Sequence, residues 1–235
     1  MRVRHVLWFL FLSFALPSLV IGQAAAREIT VEELYLRQLE FQILKEKAFA
    51  NDRDMKSAVL DDIEEMIDEN TVGQDATDVV FILQYLGMEG TTNVVIAGRR
   101  AINNFPEIRR RSAELLGRVG GTTAKDALVT IVLRDEEPMV KAEAAYALGT
   151  LGYNDKNEVV QALAYALDTQ SIAKPDDNFA YAVLLAFEKI AEKNNGIEDP
   201  RVFDILIQVA QGTYVRTVRA KALQVLDTLR RSDYQ

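Results

Sequence analysis

Apolar residues recur at intervals of three and four along most of the chain after residue 30. The clearest stretch has them at Val140, Ala144, Ala145, Leu148 and Leu151. This spacing is typical of an amphipathic helix with one buried stripe. A second pattern of the same kind fills the preceding segment, from Ala124 to Leu133. The sequence therefore predicts pairs of amphipathic helices joined by short turns.

The helical pattern is repeated along the chain. Aligning Pro106 with Pro138 places the sequence Leu-Gly-Arg-Val-Gly (116–120) over Leu-Gly-Thr-Leu-Gly (148–152). Further copies lie at residues 86–87 (Leu-Gly), 179–190 and 218–229. Repeats of roughly 30 to 40 residues that each hold two helices indicate a helical solenoid.

Prolines and glycines mark the ends of the predicted helices. Proline is favoured at the first helical position, where no amide hydrogen bond is lost, and Pro106, Pro138 and Pro200 fit that position. Glycine commonly follows the last turn of a helix, as expected at positions 87, 120, 152 and 196. The longest segment without helical periodicity in the repeat region is 169–178, which we predict to be an exposed loop inside one repeat.

Two regions upstream of the clearest repeats carry weaker patterns. Val94-Val95-Ile96 is a β-branched cluster, but it lies in a helical pattern with Ala97, Ala101 and Ile102, so we predict the first helix of a pair. Further upstream, 31–48 and 55–67 have helical patterns that begin the stack. The first of these is expected to be a cap with a polar outer face.

The first 26 residues have the order of a secretory signal peptide: Arg2 and Arg4, an apolar run from Val6 to Ile21, then small residues up to Ala26. The run is shorter than the roughly 20 residues of a spanning helix. We expect cleavage near residue 22 or 26, export to a periplasm or the medium, and no stable membrane insertion afterwards; an uncleaved anchor is the alternative. The predicted domains are a signal peptide (1–26), an N-terminal capping helix region (27–53) and a repeat domain (54–235).

Composition restricts the possible chemistry. The chain has no cysteine, and its one histidine, His5, lies in the predicted signal peptide. Imidazole and thiolate groups serve most catalytic triads and nearly all structural zinc sites. We therefore expect no enzyme activity, no cofactor and no metal site. The net charge of −8 disfavours nucleic acids and anionic membranes as partners.

The best repeat combines Leu128, a turn at Asp135, the pair Val140-Lys141 and an alanine-rich helix that ends in Leu-Gly-Thr-Leu-Gly (148–152). This pattern resembles HEAT repeats, and its short repeat length is most similar to PBS-lyase-type HEAT-like repeats. The resemblance covers roughly residues 54–231. It implies an all-α fold, an armadillo-like α-solenoid of about five helical hairpins.

In that family an Asp at the turn inside each repeat caps the second helix, and a basic residue at the start of that helix forms a ladder with neighbouring turns. The matching pairs, turn residue first, are Asp135 with Lys141, Asn103 with Arg109 and, less well, Thr213 with Arg219. The copy around Ala180 lacks the basic residue. The resemblance therefore implies a gap in the ladder beside the 169–178 loop.

The resemblance also implies a concave surface lined by the second helix of each pair, which members of the family use for binding. If Val140, Ala144 and Leu148 face the core, helical spacing places Glu143 and Tyr146 on that surface. The repeat alignment extends the assignment to other second helices. The predicted partner-binding residues are Arg111, Glu114, Arg118, Glu143, Tyr146, Lys221 and Gln224.

Two charged clusters have more than one interpretation. The basic one contains Arg99, Arg100, Arg109, Arg110, Arg111 and Arg118, and the acidic one Asp61, Asp62, Glu64, Glu65, Asp68 and Glu69. The arginines either bind an acidic partner or comprise one ladder residue and a solvated helix face. The acidic cluster lacks the alternating spacing and central glycine of a helix-loop-helix calcium site, so we predict an exposed helix face.

These features favour a non-catalytic, exported scaffold that binds another protein through its concave face. Two alternatives stay open. A lyase-type catalytic HEAT-like protein would carry a bound chromophore or a buried carboxylate with a raised pKa in the concave groove. A structural subunit of the envelope would self-associate through its acidic and basic ends, and high salt would abolish that association.

Overall fold

The computed structural model describes residues 30–170 and 175–232, without the side chains at 74 and 232. Ten α-helices lie within these residues: α1 Val31–Phe49, α2 Arg53–Asp68, α3 Ala76–Met88, α4 Pro106–Val119, α5 Thr122–Arg134, α6 Pro138–Leu151, α7 Glu158–Asp168, α8 Asp177–Asn194, α9 Pro200–Gln211 and α10 Arg216–Ser232. Two short strands, β1 Ile96–Ala97 and β2 Arg100–Ala101, and the 3-10 turns Gly73–Asp75 and Asp155–Asn157 complete the elements.

The helices form five consecutive pairs. Within each pair the two helices contact each other, from α1 with α2 to α9 with α10. The odd-numbered first helices contact one another in order along the chain, and so do the even-numbered second helices. This two-layer arrangement is an α-solenoid, so the predicted all-α fold of about five hairpins is confirmed for the described residues.

Small residues bring the second helices close together in the middle of the stack. A Cβ built on Gly117 of α4 would lie 2.7 Å from Cβ of Ala147 on α6. A Cβ built on Gly149 of α6 would lie 2.6 Å from Cα of Ala186 on α8. The glycines of the Leu-Gly motifs at 116–117 and 148–149 are therefore packing positions, where the backbones of two helices nearly touch.

Helix boundaries follow local chemistry. Pro106, Pro138 and Pro200 each occupy the first turn of a helix, as predicted. Gly152 ends α6 in the left-handed region, at φ 71°, which glycine adopts without steric cost. Thr30 caps α1: its Oγ1 accepts a hydrogen bond from N of Glu33, whose side chain accepts one from N of Thr30.

The predicted helix around residues 94–102 is wrong, because this segment is a β-hairpin between α3 and α4. Ile96 pairs with Ala101 and Ala97 with Arg100 in an antiparallel arrangement. Gly98, with φ 66°, provides the left-handed residue that a two-residue hairpin turn needs and that an α-helix excludes. The β-branched cluster followed by glycine was the signal for this hairpin in the sequence.

Asn103 closes the base of the hairpin. Its side-chain oxygen accepts a hydrogen bond from N of Val95 at 2.9 Å, and its side-chain nitrogen donates to the main-chain oxygen of Asn93 at 2.7 Å. The side chain is buried at 1% exposure. This buried amide holds the insertion against the end of α3, while residues 92–102 are exposed.

The assignment of Leu86-Gly87 as a second-helix copy is also wrong. Both residues lie on α3, which contacts α1 and α5 as a first helix does. Gly87 does not end the helix; it is buried, and a Cβ there would meet Cδ1 of Ile131 on α5 at 3.0 Å. The Leu-Gly sequence therefore marks a position of close helix packing, in a first helix as well as in a second helix.

The expectation of a polar outer face on the first helix is wrong as well. Leu36, Leu39 and Ile43 of α1 are 57%, 42% and 44% exposed. Phe41 and Leu44 of the same helix are instead buried against the rest of the stack. The first helix thus presents an apolar stripe that no other described element covers.

Several predictions fall outside the described residues. The signal peptide, 1–26, is one of them, and the assignment of three domains stays a prediction. In the 169–178 loop, α7 ends at Asp168 and α8 begins at Asp177, but residues 171–174 are not among those described. Within the described ranges no helix is both long and apolar enough to cross a membrane.

Candidate functional site

Buried ion pairs connect the first three repeats at the turns between their helices. Nζ of Lys56 on α2 lies 2.8 Å from Oε2 of Glu89, which follows α3. Nε and Nη2 of Arg109 on α4 donate to the two carboxylate oxygens of Asp135, which follows α5, at 2.6 and 3.1 Å. Each of the four side chains is at most 3% exposed. The second helix of one repeat is thereby fixed to the turn of the next.

The ladder role implied for Arg109 and the turn at Asp135 is confirmed by these contacts. Asp135 also accepts a hydrogen bond from N of Glu137 at 2.8 Å, next to the first turn of α6. The pair Lys56 and Glu89 was not predicted from the sequence. Lys56 and Arg109 occupy the same position in α2 and α4, three residues after the first residue of each helix.

At the third repeat the ladder contact is no longer an ion pair. Lys141 of α6 lies with its Nζ 4.6 Å from the centroid of the Phe179 ring on α8. Burial lowers the pKa of Lys141, although the Asp135 carboxylate acts in the opposite direction. A cation over an aromatic ring thus replaces the buried ion pair here. Ala180, next to Phe179, cannot continue the ladder because it carries no charge.

The second helices form one surface, and its N-terminal part is joined by ion pairs. Arg111 of α4 has its Nη2 2.7 Å from Oδ1 of Asp61 and 2.8 Å from Oε2 of Glu64 on α2. Arg118 pairs with Glu64 and Asp68. Part of the acidic cluster and part of the basic cluster therefore meet across the contact between α2 and α4. Arg111 and Arg118, both predicted binding residues, thus have intramolecular partners.

Glu114 and Glu143 lie near each other on this surface, on α4 and α6. Nη1 of Arg110 is 4.0 Å from Oε2 of Glu114 and 3.3 Å from Oε2 of Glu143. Burial, followed by the negative charge of Glu114, raises the pKa of Glu143, and Arg110 opposes this change without cancelling it. A carboxylate with a raised pKa is the feature expected of the catalytic alternative.

Replacing Glu143 by glutamine is expected to increase the free energy of unfolding at pH 7 by less than about 1 kcal/mol, the range of partly exposed charges. The folded-state pKa of Glu143 lies above its usual 4.5, so between these two values the folded chain binds more protons than the unfolded chain. Stability contributed by this group therefore falls as the pH rises through that interval. Urea denaturation should show the gain at pH 7 and its loss by pH 4; an equal gain at both pH values would contradict the assignment.

The remaining predicted residues lie further along the same surface. Tyr146 of α6 is 44% exposed, and Nζ of Lys189 on α8 lies 3.7 Å from the centroid of its ring. Lys189 also donates to Oγ1 of Thr150 at 3.0 Å. Lys221 of α10 pairs with Glu188 of α8 at 2.6 Å, whereas Gln224 is exposed.

The seven predicted residues therefore do not converge on one point but are distributed over α4, α6 and α10. The contribution of α8, chiefly Lys189 and Glu188, was missed. Aligning Leu148 with Phe187 carries Thr150 to Lys189, so the repeat pattern contained this signal. The ion pairs between α2 and α4, between α4 and α6 and between α8 and α10 had no comparable signal.

Two cavities lie away from the predicted residues. One of about 470 Å³ lies beside the hairpin and is lined by Gly90, Thr91, Val94, Asn104, Pro106, Arg109, Arg134, Glu136 and Glu137. Another of about 230 Å³ lies between the first helices α7 and α9 and is lined by residues that include Gln161, Tyr165 and Arg201. In the part of the chain that the structure describes, no three acidic, His or Cys side chains are grouped as metal ligands.

Comparison with known proteins agrees with the geometry. Residues 96–174 match the family model described as HEAT repeats, a stretch that runs from the β-hairpin through α4, α5, α6 and α7. No curated protein matches the chain. HEAT repeats generally mediate protein–protein interactions as scaffolds. Residues 96–174 are therefore similar to HEAT repeats, and the paired helices and the buried charge ladder agree with that match.

Proposed function

We propose that the chain is an exported, non-catalytic scaffold that holds another protein on the surface of its second helices. The observation that carries the proposal is the unbroken series α2, α4, α6, α8 and α10, in which each helix contacts the next. Neighbouring helix axes lie about 8–10 Å apart, so five helices give a surface roughly 40 Å long. A standard protein–protein interface needs about 800 Å² on each partner, which such a surface can supply.

The contacts divide the predicted residues into two groups. Arg111, Arg118 and Lys221 are held by acidic residues on neighbouring helices, so binding a partner would compete with those ion pairs. Tyr146 and Gln224 are exposed without an ion pair to break. Tyrosine supplies a large contact area at low entropic cost and is enriched among residues that dominate binding energy. We therefore assign the anchoring role to Tyr146, beside Lys189.

Export and the absence of catalysis are parts of the same proposal. Their support is in the sequence: the basic, apolar and small-residue order of residues 1–26, and a single histidine that falls inside that segment. In the catalytic alternative, Glu143 would have to act as a general acid or base. A general acid or base must reach its reactant within about 3 Å, and one carboxylate oxygen of Glu143 faces Arg110 at 3.3 Å.

The double variant Tyr146→Ala/Gln224→Ala tests the scaffold. We expect it to keep the fold but to lose at least about tenfold in affinity for the partner, equivalent to 1.4 kcal/mol, because an aromatic anchor is removed. The chain is isolated from the envelope fraction and from the medium, and its mass shows whether residues 1–26 have been removed. Each protein bound to it is identified, and its affinity is measured by titration. Circular dichroism and thermal unfolding establish that the variants are folded.

The matched control is Tyr165→Ala/Gln211→Ala, which removes an exposed tyrosine and an exposed glutamine from first helices instead. It should retain the partner with unchanged affinity. Equal losses in both double variants would contradict a site on the second helices. A chain that keeps residues 1–26 and stays in the cytoplasm would contradict export. If the chain converts a small molecule and the Glu143→Gln variant does not, the catalytic alternative would be favoured.

A further inference from the structure

The two ends of the solenoid differ in charge. Each internal repeat is covered by a repeat on both sides, whereas within residues 30–170 and 175–232 the first and last pairs have one side without a neighbouring repeat. Such terminal sides are normally polar in repeat proteins. Here α1 presents Leu36, Leu39 and Ile43 to its open side, at spacings of three and four residues that form one stripe.

Acidic residues surround this stripe. On α1 they are Glu32, Glu40 and Glu46, all exposed. On α2 the residues facing α4 are known from their ion pairs: Asp61, Glu64 and Asp68. Helical spacing therefore turns another set, Asp62, Glu65 and Glu69, away from α4 and towards the open side together with Met55. We call these ten residues, from α1 and α2, the N-terminal end face; among its acids Asp62 has a described ion pair, with Lys47 at 3.7 Å.

The opposite end carries more basic than acidic residues; Asp227, four residues after Leu223 on α10, pairs with Arg231. On α10 Leu223 is 57% exposed, and Arg216, Arg219 and Arg230 lie seven before, four before and seven after it, so they share its face. The side of α10 towards α8 is marked by the pair between Lys221 and Glu188. On α9, Ile207 is also exposed. We call Ile207, Arg216, Arg219, Leu223 and Arg230 the C-terminal end face.

We propose that the N-terminal end face of one copy docks on the C-terminal end face of a second copy, with α1 against α9 and α2 against α10. This arrangement continues the order inside the chain, where first helices contact first helices and second helices contact second helices. It brings six acidic residues opposite three arginines and covers the apolar stripe. The contact is heterologous: each copy keeps one free end, so assembly proceeds to chains or rings.

A second copy fits because the N-terminal and C-terminal end faces carry opposite charges and each consists of a helix pair. A helix pair is the structure that the rest of the solenoid uses to cover a helix pair. Opposite charges favour docking in the head-to-tail sense, and like charges disfavour stacking two N-terminal end faces. The inference does not depend on the proposed function, because it uses the ends of the stack and not the surface of the second helices.

Sedimentation velocity on the chain produced from its full sequence tests the proposal. At low salt the mean mass is expected to rise with concentration, and about 1 M NaCl, where the Debye length falls to about 3 Å, should weaken the association at least about tenfold. Leu39→Asp blocks the N-terminal end face, and Arg219→Glu/Arg230→Glu blocks the C-terminal end face. Each variant alone should be monomeric, whereas an equimolar mixture should form dimers and no larger species.

Leu133→Asp is the matched control, because Leu133 is exposed to the same degree as Leu39, 41% against 42%, but belongs to an internal repeat. It should assemble like the unaltered chain. A monomer at every concentration in low salt would overturn the proposal and leave residues 1–29 or another protein to cover the stripe. So would assembly that survives both end-face changes, or a mixture of the two blocked variants that stays monomeric. Loss of partner binding in Tyr146→Ala/Gln224→Ala with assembly intact would separate this inference from the scaffold function.

Discussion

Replacing Asp135 by alanine is expected to lower the free energy of unfolding by about 3–5 kcal/mol, the cost of breaking a buried ion pair by removing one partner. The guanidinium of Arg109 would stay buried, at 3% exposure, with hydrogen bonds to the side chain of Asn104 at 2.6 Å and to the main-chain oxygen of Glu89 at 3.4 Å, but without a countercharge. The hydrogen bond from N of Glu137 would be lost too. Urea denaturation at neutral pH measures the effect.

Two further variants make this test specific. Asp227→Ala breaks an exposed pair with Arg231 on α10, whose side chains are 60% and 78% exposed, and should cost about 0.3–0.5 kcal/mol. Arg109→Met/Asp135→Leu removes both charges and should recover most of the stability lost in Asp135→Ala, because no charge is then buried alone. A loss below about 1 kcal/mol in Asp135→Ala would mean that water reaches Arg109.

Gly149→Ala is expected to destabilise the chain by about 1–3 kcal/mol, although alanine is the better helix former by about 1 kcal/mol. The added Cβ would lie 2.6 Å from Cα of Ala186, and 3.4 Å from its main-chain oxygen. Because the obstacle is backbone, α6 and α8 must move apart instead of a side chain turning aside. The loss should appear in denaturation and as faster amide exchange in both helices.

Gly87→Ala is the control for this prediction. Gly87 is also a buried glycine inside a helix, but its added Cβ would meet the flexible end of Ile131 at 3.0 Å, and that side chain can rotate. We expect a change between a small loss and a gain of about 1 kcal/mol. If Gly149→Ala were as stable as Gly87→Ala, the close approach of α6 and α8 would not limit the packing of the stack.

The fold was predictable because the same pattern of residues recurs in each repeat of the sequence. Apolar positions at three and four residues, prolines at the first helical position and alanines where helices approach all favour stacked helix pairs. Arg109 and the turn at Asp135 could be assigned by resemblance. The hairpin at 94–102 was missed because its apolar residues also fit a helical spacing, and the left-handed turn at Gly98 was not taken into account.

The candidate site was predictable in position but not in its contacts. Helical spacing placed Glu143 and Tyr146 on the surface of the second helices, where they lie. It could not show that Arg110 contacts Glu143, nor that Lys189 covers the ring of Tyr146. Such contacts depend on how far one helix is shifted along its neighbour, and residues about 40 positions apart carry no local signal of that shift.

The sequence by itself determined the all-α class and most of the helices, because burial of one stripe per helix is encoded locally and repeats along the chain. It did not determine how α3 pairs, because the hairpin that separates α3 from α4 was predicted as a helix. The tertiary structure alone decided which charges neutralise each other. Packing α2 beside α4 places Asp61 and Glu64 against Arg111, so residues of two clusters that lie about 50 positions apart in the sequence form one internal contact. The same packing leaves Leu36, Leu39 and Ile43 uncovered, because no repeat among the described residues precedes α1 to bury them.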